Sequence, residues 1–222
     1  AALGLPALLL NGLFWHRDAQ RPMGDFSWQA FRALGRRGVK VVALMGIIYT
    51  MALDGVLSFL SLHPDALSMT EIGMVSGLVA ISMVGRIGGA LTSGRLSDRL
   101  GYRRSMGFAV LLSGFACLGL ALQLGMTALA LTCLILGFAY GYYTTVYAAI
   151  AMTLSDPRTA ASMFAIFMMF LNIGIAAGQG LGGVVTEAVG FGGLAVFASL
   201  FGLLNLLLIP HLRLPHRVSG NP

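Results

Sequence analysis

The stretch Gly94-Arg95-Leu96-Ser97-Asp98-Arg99-Leu100-Gly101-Tyr102-Arg103-Arg104 places four arginines and an aspartate between two long apolar segments. The segment before it, residues 72–93, contains one charge, Arg86, and the segment after it, residues 105–124, contains none. About 20 apolar residues are enough for a helix to cross a bilayer. Short loops rich in lysine and arginine stay on the cytoplasmic side of a membrane. The pattern therefore predicts a tight cytoplasmic turn between two transmembrane helices.

The composition favours a membrane protein as well. The chain has 222 residues, of which 57% are hydrophobic and only 10% are charged, whereas a soluble domain has about 25% charged residues. The net charge of +6 is divided among separate connections, so it does not form the single basic face that a nucleic acid needs. The two cysteines, Cys117 and Cys133, lie in apolar segments and form no metal-ligand or disulfide pattern. We expect no metal and no cofactor.

Six apolar segments are long enough to span a membrane and are separated by short connections. They predict an all-α, polytopic membrane helix bundle over residues 39–210, followed by a short tail, residues 211–222. The predicted spans are residues 39–60, 72–93, 105–124, 127–152, 160–186 and 194–209.

The residues before this bundle are of two kinds. Residues 1–15 are apolar but too short to span, and we interpret them as the end of a preceding transmembrane helix; the alternative is a short segment at the membrane surface. Residues 16–38 form a basic linker in which Trp28, Phe31 and Leu34 recur every three residues. This spacing predicts an amphipathic helix lying on the membrane surface. The chain therefore resembles a portion of a larger protein.

The distribution of positive charge predicts the orientation of the bundle. Every lysine and arginine except Arg86 falls in or beside one alternating set of connections: the linker, the arginine-rich stretch, the connection at Arg158 and the tail. The intervening connections, around Asp65, Gly125 and Gly190, contain none. Because basic connections remain in the cytoplasm, both ends of the six-helix unit are predicted to be cytoplasmic.

Two ionisable residues lie deep within predicted spans, where an unpaired charge costs roughly 2.5–3.5 kcal/mol. Counted from the cytoplasmic ends of their spans, Asp54 and Arg86 differ in height by about 9 Å, which makes a direct ion pair uncertain and leaves room for solute or water. In the functional hypothesis, Asp54 takes up a coupling proton and Arg86 binds an anionic group. In the structural alternative, Asp54 lies near the outer water and Arg86 contacts helix ends or Asp98.

Other polar side chains recur on helix faces. Tyr140, Tyr143 and Tyr147 share one face of the fourth span, and Asn172 and Gln179 share nearly one face of the fifth. Each set could line a solute cavity, or it could serve helix packing. Glycines that repeat every four residues predict close helix contacts; they are Gly85 and Gly89, Gly137 and Gly141, and Gly174, Gly178 and Gly182.

The arginine-rich stretch resembles the G-x-L-[SA]-D-R-x-G-R-[RK] loop of the major facilitator superfamily of transporters. Tyr102 stands where that loop often has an arginine, unless the pair Arg103–Arg104 is taken as shifted by one position. The matching residues, several of which form the conformational-switch loop of the family, are Gly94, Leu96, Ser97, Asp98, Arg99, Gly101, Arg103 and Arg104.

This resemblance implies the C-terminal six-helix half of a twelve-helix transporter, with the N-terminal half absent from the chain. It implies a secondary active transporter in the bacterial inner membrane that moves a small solute by alternating access, coupled to a proton, and not an enzyme. A weaker similarity, over residues 67–73 and 159–190, points to muropeptide permeases and to importers of acetyl-CoA or siderophores. The alternative function is a transport-inactive membrane scaffold or solute sensor with the same fold.

Overall fold

The computed structural model describes residues 35, 37–60, 72–122, 125–155 and 160–212, with only the backbone for residues 72–75. Within these residues every regular element is helical. The elements are α1 (Arg37–Ser58), α2 (Ile72–Leu100), α3 (Tyr102–Ala121), α4 (Met126–Leu154), α5 (Ala160–Leu203), α6 (Asn205–Leu208) and a 3-10 turn (Ile209–His211).

Five of these helices, with the run Ala160–His211 taken as one, are long and apolar enough to cross a membrane. The predicted all-α membrane bundle is therefore confirmed. The partial helix predicted for residues 1–15, the amphipathic helix of the linker and the tail beyond residue 212 lie outside the described residues.

Helix α5 contains the fifth predicted span and the first part of the sixth, which continues through α6 and the 3-10 turn. Its backbone leaves the helical conformation at Gly190, where φ is +73°, a conformation that glycine adopts without a steric penalty. The first arm, residues 160–189, runs parallel to α1, because Gly174 packs on Ile47 and Gly182 packs on Gly55. The second arm, residues 191–203, returns antiparallel to α3. The turn predicted at Gly190 is therefore present.

Helix α2 continues further than the hydrophobic pattern indicated. We expected the second span to end at residue 93 and a loop to follow, but the helix runs to Leu100 and α3 begins at Tyr102. Gly101, with φ at +78°, is the residue between them. The prediction was wrong in this respect because it ended the helix where the apolar residues end. Arginine and leucine are good helix formers, and a helix continues through them outside the membrane.

The glycine repeats lie at two close helix interfaces. In the α2–α4 pair, a Cβ atom on Gly89 would clash with the backbone carbonyl of Phe138, and one on Gly141 with the carbonyl of Arg86. In the α1–α5 pair, a Cβ atom on Gly178 would clash with the carbonyl of Met51. Backbones this close allow no side chain between them. The helix-packing interpretation of these glycines is confirmed.

The end of the bundle at which α1 begins, α2 ends and α3 begins is called the basic end below. Here the Nε atom of Arg103 donates a hydrogen bond to the carbonyl oxygen of Leu212, at 3.1 Å, and a second guanidinium nitrogen donates to the same oxygen. Leu212 is buried and directly follows the 3-10 turn. Arg103 therefore joins the start of α3 to the end of the last helical segment.

Candidate solute and ion site

Three helices bring Asp54, Arg86 and Tyr140 together in the membrane-spanning part of the bundle. The Nη2 atom of Arg86 on α2 lies 4.0 Å from the Oδ1 atom of Asp54 on α1. The hydroxyl of Tyr140 on α4 donates a hydrogen bond of 2.8 Å to Oδ2 of the same carboxylate. The guanidinium carbon of Arg86 lies 3.9 Å from the centre of the Tyr140 ring. These residues are called the charge cluster below.

The ion pair answers a question that the sequence left open. With α2 extended to Leu100, Arg86 lies about 21 Å from the basic end and Asp54 about 25 Å, so the difference in height falls to about 4 Å. Side chains also tilt toward the N-terminus of their own helix. Because α1 starts at the basic end and α2 starts at the opposite end, Asp54 and Arg86 lean toward each other. The expected gap of about 9 Å is therefore closed.

The guanidinium group of Arg86 is only partly satisfied. Its Nε atom is buried and has no hydrogen-bond partner in the described part of the chain. The side chain of Arg86 is 26% exposed and that of Asp54 is 14% exposed. Tyr140 covers one face of the guanidinium by a cation–π contact, which contributes about 0.5–2 kcal/mol. The charge cluster therefore contains an unsatisfied donor, and parts of the Arg86 and Asp54 side chains reach the surface of the described structure.

A small pocket reaches Arg86 from the side away from the basic end. Its volume is about 140 Å³. Four of its side chains are large and apolar, two are serines, and one is charged. The lining residues come from α1, from Leu60 just beyond its end, and from α2: Leu57, Ser58, Leu60, Val79, Ser82, Met83 and Arg86.

Tyr143 and Tyr147 lie on the same face of α4 as Tyr140 but have a different environment. Both are fully buried. The Tyr143 hydroxyl donates 2.9 Å to the carbonyl of Met45, and the Tyr147 hydroxyl donates 3.4 Å to the carbonyl of Phe167. These contacts favour the packing interpretation for both residues, and of the three tyrosines the structure brings Tyr140 alone to the charge cluster.

Tyr49 of α1 was missed by the sequence reasoning. Its ring is stacked on that of Tyr143, with centroids 3.5 Å apart, and its hydroxyl donates 3.1 Å to the carbonyl of Ala139. The ring also lies 6.4 Å from that of Tyr140. The available signal was its position five residues before Asp54, which places an aromatic side chain within two helical turns of the deep carboxylate.

Asn172 and Gln179 are not part of the charge cluster. Both are exposed on the first arm of α5. The Asn172 amide nitrogen donates 2.9 Å to the carbonyl of Met168 in its own helix. The two side chains share the outward face of the arm, and a role in lining a cavity stays a prediction.

The arginine-rich stretch, residues 94–104, is exposed at the basic end except for the half-buried Leu96 and Tyr102 and the buried Ser97. Arg103 is bound to Leu212, as described above. Asp98 makes no ion pair with any described residue, and neither do Arg99 and Arg104. The role of this stretch as a conformational switch stays a prediction.

Among the described residues there is no cluster of three or more His, Cys, Asp or Glu side chains that could hold a metal ion.

A model of the Major Facilitator Superfamily matches residues 19–222. This chain belongs to the major facilitator superfamily.

A curated bacterial protein is similar to this chain over most of its length. It is the Bacillus subtilis (strain 168) protein named “Putative metabolite transport protein YwtG”, which is 28% identical over 174 residues, or 76% of this chain. The matched region covers 37% of the length of that relative. The chain thus spans little more than a third of the length of that relative, whose name describes the transport of metabolites.

Proposed function

We propose that this chain is the C-terminal six-helix half of a proton-coupled secondary active transporter that works by alternating access. In this proposal the basic end faces the cytoplasm of a bacterium, and the bundle lies in the inner membrane. The charge cluster is the part of the solute and ion pathway that this half contributes. The observation that carries the proposal is the pair formed by Asp54 and Arg86 at membrane depth.

The energetic cost of such a pair supports a functional role. Burying a charge in the membrane is unfavourable, and ionisable residues there commonly mark solute or proton pathways. Asp54 is the acceptor for a coupling proton, and Arg86 is the binding group for an anionic part of the solute. Tyr140 holds the carboxylate through its hydroxyl and the guanidinium through its ring, so a change at one residue is felt by the other.

The contact with the second half is placed at two helices that expose large apolar side chains. Large apolar side chains on α2 remain uncovered within the described structure, among them Val84, Ile87 and Leu91. The first arm of α5 exposes Leu181 and Val184. Facilitator halves rock against each other around a site near the midplane. These two helices would meet the N-terminal half, and Asn172 and Gln179 would face the pathway between the halves.

Reconstitution of the full-length protein in liposomes tests the function. Uptake from a labelled metabolite pool should rise when the proton gradient is imposed and should fall when an uncoupler removes it. A protein that binds solute but accumulates none, with or without the gradient, contradicts transport and supports the scaffold or sensor alternative. The encoded sequence upstream of Ala1 tests the architecture, since further spans and a second arginine-rich stretch are expected there.

The arginine-rich stretch is proposed to clamp helix ends at the basic end in one state and to release them in the other. Asp98→Asn should then lower the rate of uptake several-fold without changing the amount of folded protein, because Asp98 is exposed and unpaired among the described residues. Glu187→Gln removes an exposed carboxylate elsewhere and serves as the control. Unchanged uptake by the Asp98 variant would show that the clamp role is wrong.

A further inference from the structure

We propose that one anionic phospholipid binds along the outer seam between α3 and residues 191–211, with its headgroup phosphate between Arg104 and His211. Residues 191–211, which are the second arm of α5 with α6 and the 3-10 turn, are called the last helical run below. The seam contains no residue of the charge cluster. The inference therefore requires only that the bundle lies in a membrane, and it is independent of the transported solute.

The first argument is that α3 and the last helical run pack against each other in antiparallel directions. At the basic end, Arg103 donates a hydrogen bond of 3.1 Å to the carbonyl of Leu212. Farther along the seam, the hydroxyl of Ser199 donates a hydrogen bond of 3.0 Å to the carbonyl of Gly114. Each step forward on α3 therefore corresponds to one step back on the last helical run.

This register brings two exposed stripes side by side. At the basic end, Arg104 stands opposite His211, and both residues are exposed. Farther from the basic end, each helix exposes large apolar side chains at steps of three and four residues, which is the spacing of one helix face. The exposed apolar residues stand opposite each other in the pairs Phe108 and Leu207, Leu111 and Leu204, Phe115 and Leu200, and Leu118 and Phe197.

The two stripes form ridges with a furrow between them. Phe115 is 70% exposed and Leu200 is 63% exposed, so the opposing side chains do not cover each other. Gly107 and Gly114 of α3 face the last helical run and carry no side chain. A linear hydrocarbon chain therefore has a seat along the seam, with apolar contacts on both sides.

The size of these side chains favours a lipid over a second protein helix. Helices in membranes associate through small residues, which allow their backbones to approach closely. The α2–α4 contact of this protein is of that kind, with Gly89 and Gly141 at the interface. The exposed stripes of the seam consist of phenylalanine and leucine instead, which suit the flexible tail of a lipid.

The second argument is the pair of groups at the basic end of the ridges. The guanidinium of Arg104 makes no ion pair with any described residue, and guanidinium groups bind phosphate through paired hydrogen bonds. The Nδ1 atom of His211 lies 3.2 Å from the carbonyl oxygen of Leu207. Because a carbonyl only accepts, Nδ1 carries the hydrogen, and Nε2 is left to meet a ligand as a donor of the imidazolium form.

These two groups lie where a headgroup is expected. Basic residues at the membrane surface attract anionic lipids, and Arg104 and His211 continue the two apolar stripes at the basic end. One lipid molecule can therefore place its phosphate between them and its acyl chain in the furrow.

A photoactivatable lipid tests the site. The purified full-length protein is placed in nanodiscs of phosphatidylcholine that contain a minor fraction of phosphatidylglycerol with a photoreactive acyl chain, and labelled peptides are identified by mass spectrometry. Labelling should concentrate on residues 104–118 and 197–211. The same photoreactive chain on phosphatidylcholine should label them several-fold less, and inorganic phosphate at the concentration of the lipid should not compete, because it lacks the apolar tail.

Matched variants separate the two parts of the site. Arg104→Gln should lower the labelling by phosphatidylglycerol about fivefold, and the double variant with His211→Gln should lower it further. Arg99→Gln removes an exposed arginine of α2 and should have no effect. Leu207→Ala should lower the labelling as well, whereas Leu131→Ala, at an exposed leucine of α4, should not.

Three results would overturn the site. Equal losses in the Arg104 and Arg99 variants would show a general attraction of the basic end for anionic lipids. Equal labelling by the two lipids, or displacement by inorganic phosphate, would show that the phosphate and the acyl chain are not recognised together. Crosslinks between two copies of the protein at these peptides, in place of lipid labelling, would assign the seam to a dimer contact.

Discussion

Arg86 and the arginines of residues 94–104 stand on the same stretch of polypeptide in very different environments. Arg86 has a carboxylate at 4.0 Å and a tyrosine ring at 3.9 Å. Arg95, Arg99 and Arg104 are exposed at the basic end and make no ion pair with the described residues. Along α2, a charged side chain at the depth of Arg86 needs a partner in the protein, whereas a charged side chain near Leu100 is solvated by water.

This difference indicates on which arginines the stability of the fold depends. In a medium of low dielectric constant, removing one partner of an ion pair leaves the other charge uncompensated. At the surface, ion pairs contribute about 0–1 kcal/mol and single charges contribute little. Substitution of Arg86 should therefore affect stability and transport together, whereas substitution of the exposed arginines should leave stability nearly unchanged.

The largest expected effect is that of Arg86→Gln. Breaking a buried pair by removing one partner costs about 3–5 kcal/mol, so we expect a marked loss of thermal stability in detergent. The double variant Asp54→Asn with Arg86→Gln should be more stable than the single variant, because no unpaired charge remains. Arg37→Gln at the start of α1 is the control and should resemble the wild type.

Equal stability of the single and double variants would contradict this account of Arg86. Asp54 and Arg86 would then contribute independently to the free energy of unfolding. The deep arginine would not differ from the exposed arginines in needing a charged partner.

Tyr140→Phe should have the next largest effect, since it removes a hydrogen bond to the charged carboxylate of Asp54 and keeps the ring beneath Arg86. Hydrogen bonds to charged groups contribute about 1.5–3 kcal/mol. Thermal unfolding and the proton dependence of uptake should both change. Tyr102→Phe, at the basic end, is the matched control, and an identical response of the two variants would exclude a special role for Tyr140.

The charge cluster also depends on the close contact of α2 and α4. Gly141→Ala would push a methyl group into the carbonyl of Arg86, and overpacking of this kind costs about 1–3 kcal/mol. Gly88→Ala, on α2, meets only an ordinary contact with the Phe138 ring at 3.7 Å and should be neutral. Differential unfolding temperatures measure both, and a neutral Gly141→Ala would mean that the helices separate without cost.

The smallest effect is expected at the basic end. Arg103→Gln removes the hydrogen bonds to the carbonyl of Leu212 and should cost about 1 kcal/mol. Arg104→Gln, its exposed neighbour, should change stability by less than about 0.5 kcal/mol. Protease sensitivity of the C-terminal segment would rise in the first variant alone. Equal sensitivity in both would show that Arg103 does not hold this segment.

Much of the fold followed from the sequence because lipid imposes strong rules. Helices are the form in which a single chain can satisfy its backbone groups in a bilayer without a closed barrel, so the apolar lengths predicted the helices directly. The glycine repeats predicted their contacts, since only small residues permit backbones to approach so closely. The end of α2 was less predictable, because hydrophobicity marks the membrane boundary and not the end of a helix.

The site was only partly predictable. Asp54, Arg86 and Tyr140 were identified as candidates because polar groups are costly at depth. Tyr143 and Tyr147 share the helix face of Tyr140 but are buried with hydroxyls bound to backbone carbonyls, and nothing in the spacing of the three distinguishes them. Tyr49 was missed because its position five residues before Asp54 does not by itself show which groups its ring and its hydroxyl contact.

By itself, the sequence determined that the protein lies in a membrane, that it is helical, and where its few charges within the membrane-spanning segments are. It could do so because hydrophobicity and charge are properties of individual residues. The tertiary structure alone decided that Asp54 and Arg86 are partners. Their meeting depends on the opposite directions of α1 and α2 and on the close α2–α4 contact, which are relations between helices. The number of residues between two positions on one helix does not give the distance between side chains on two different helices.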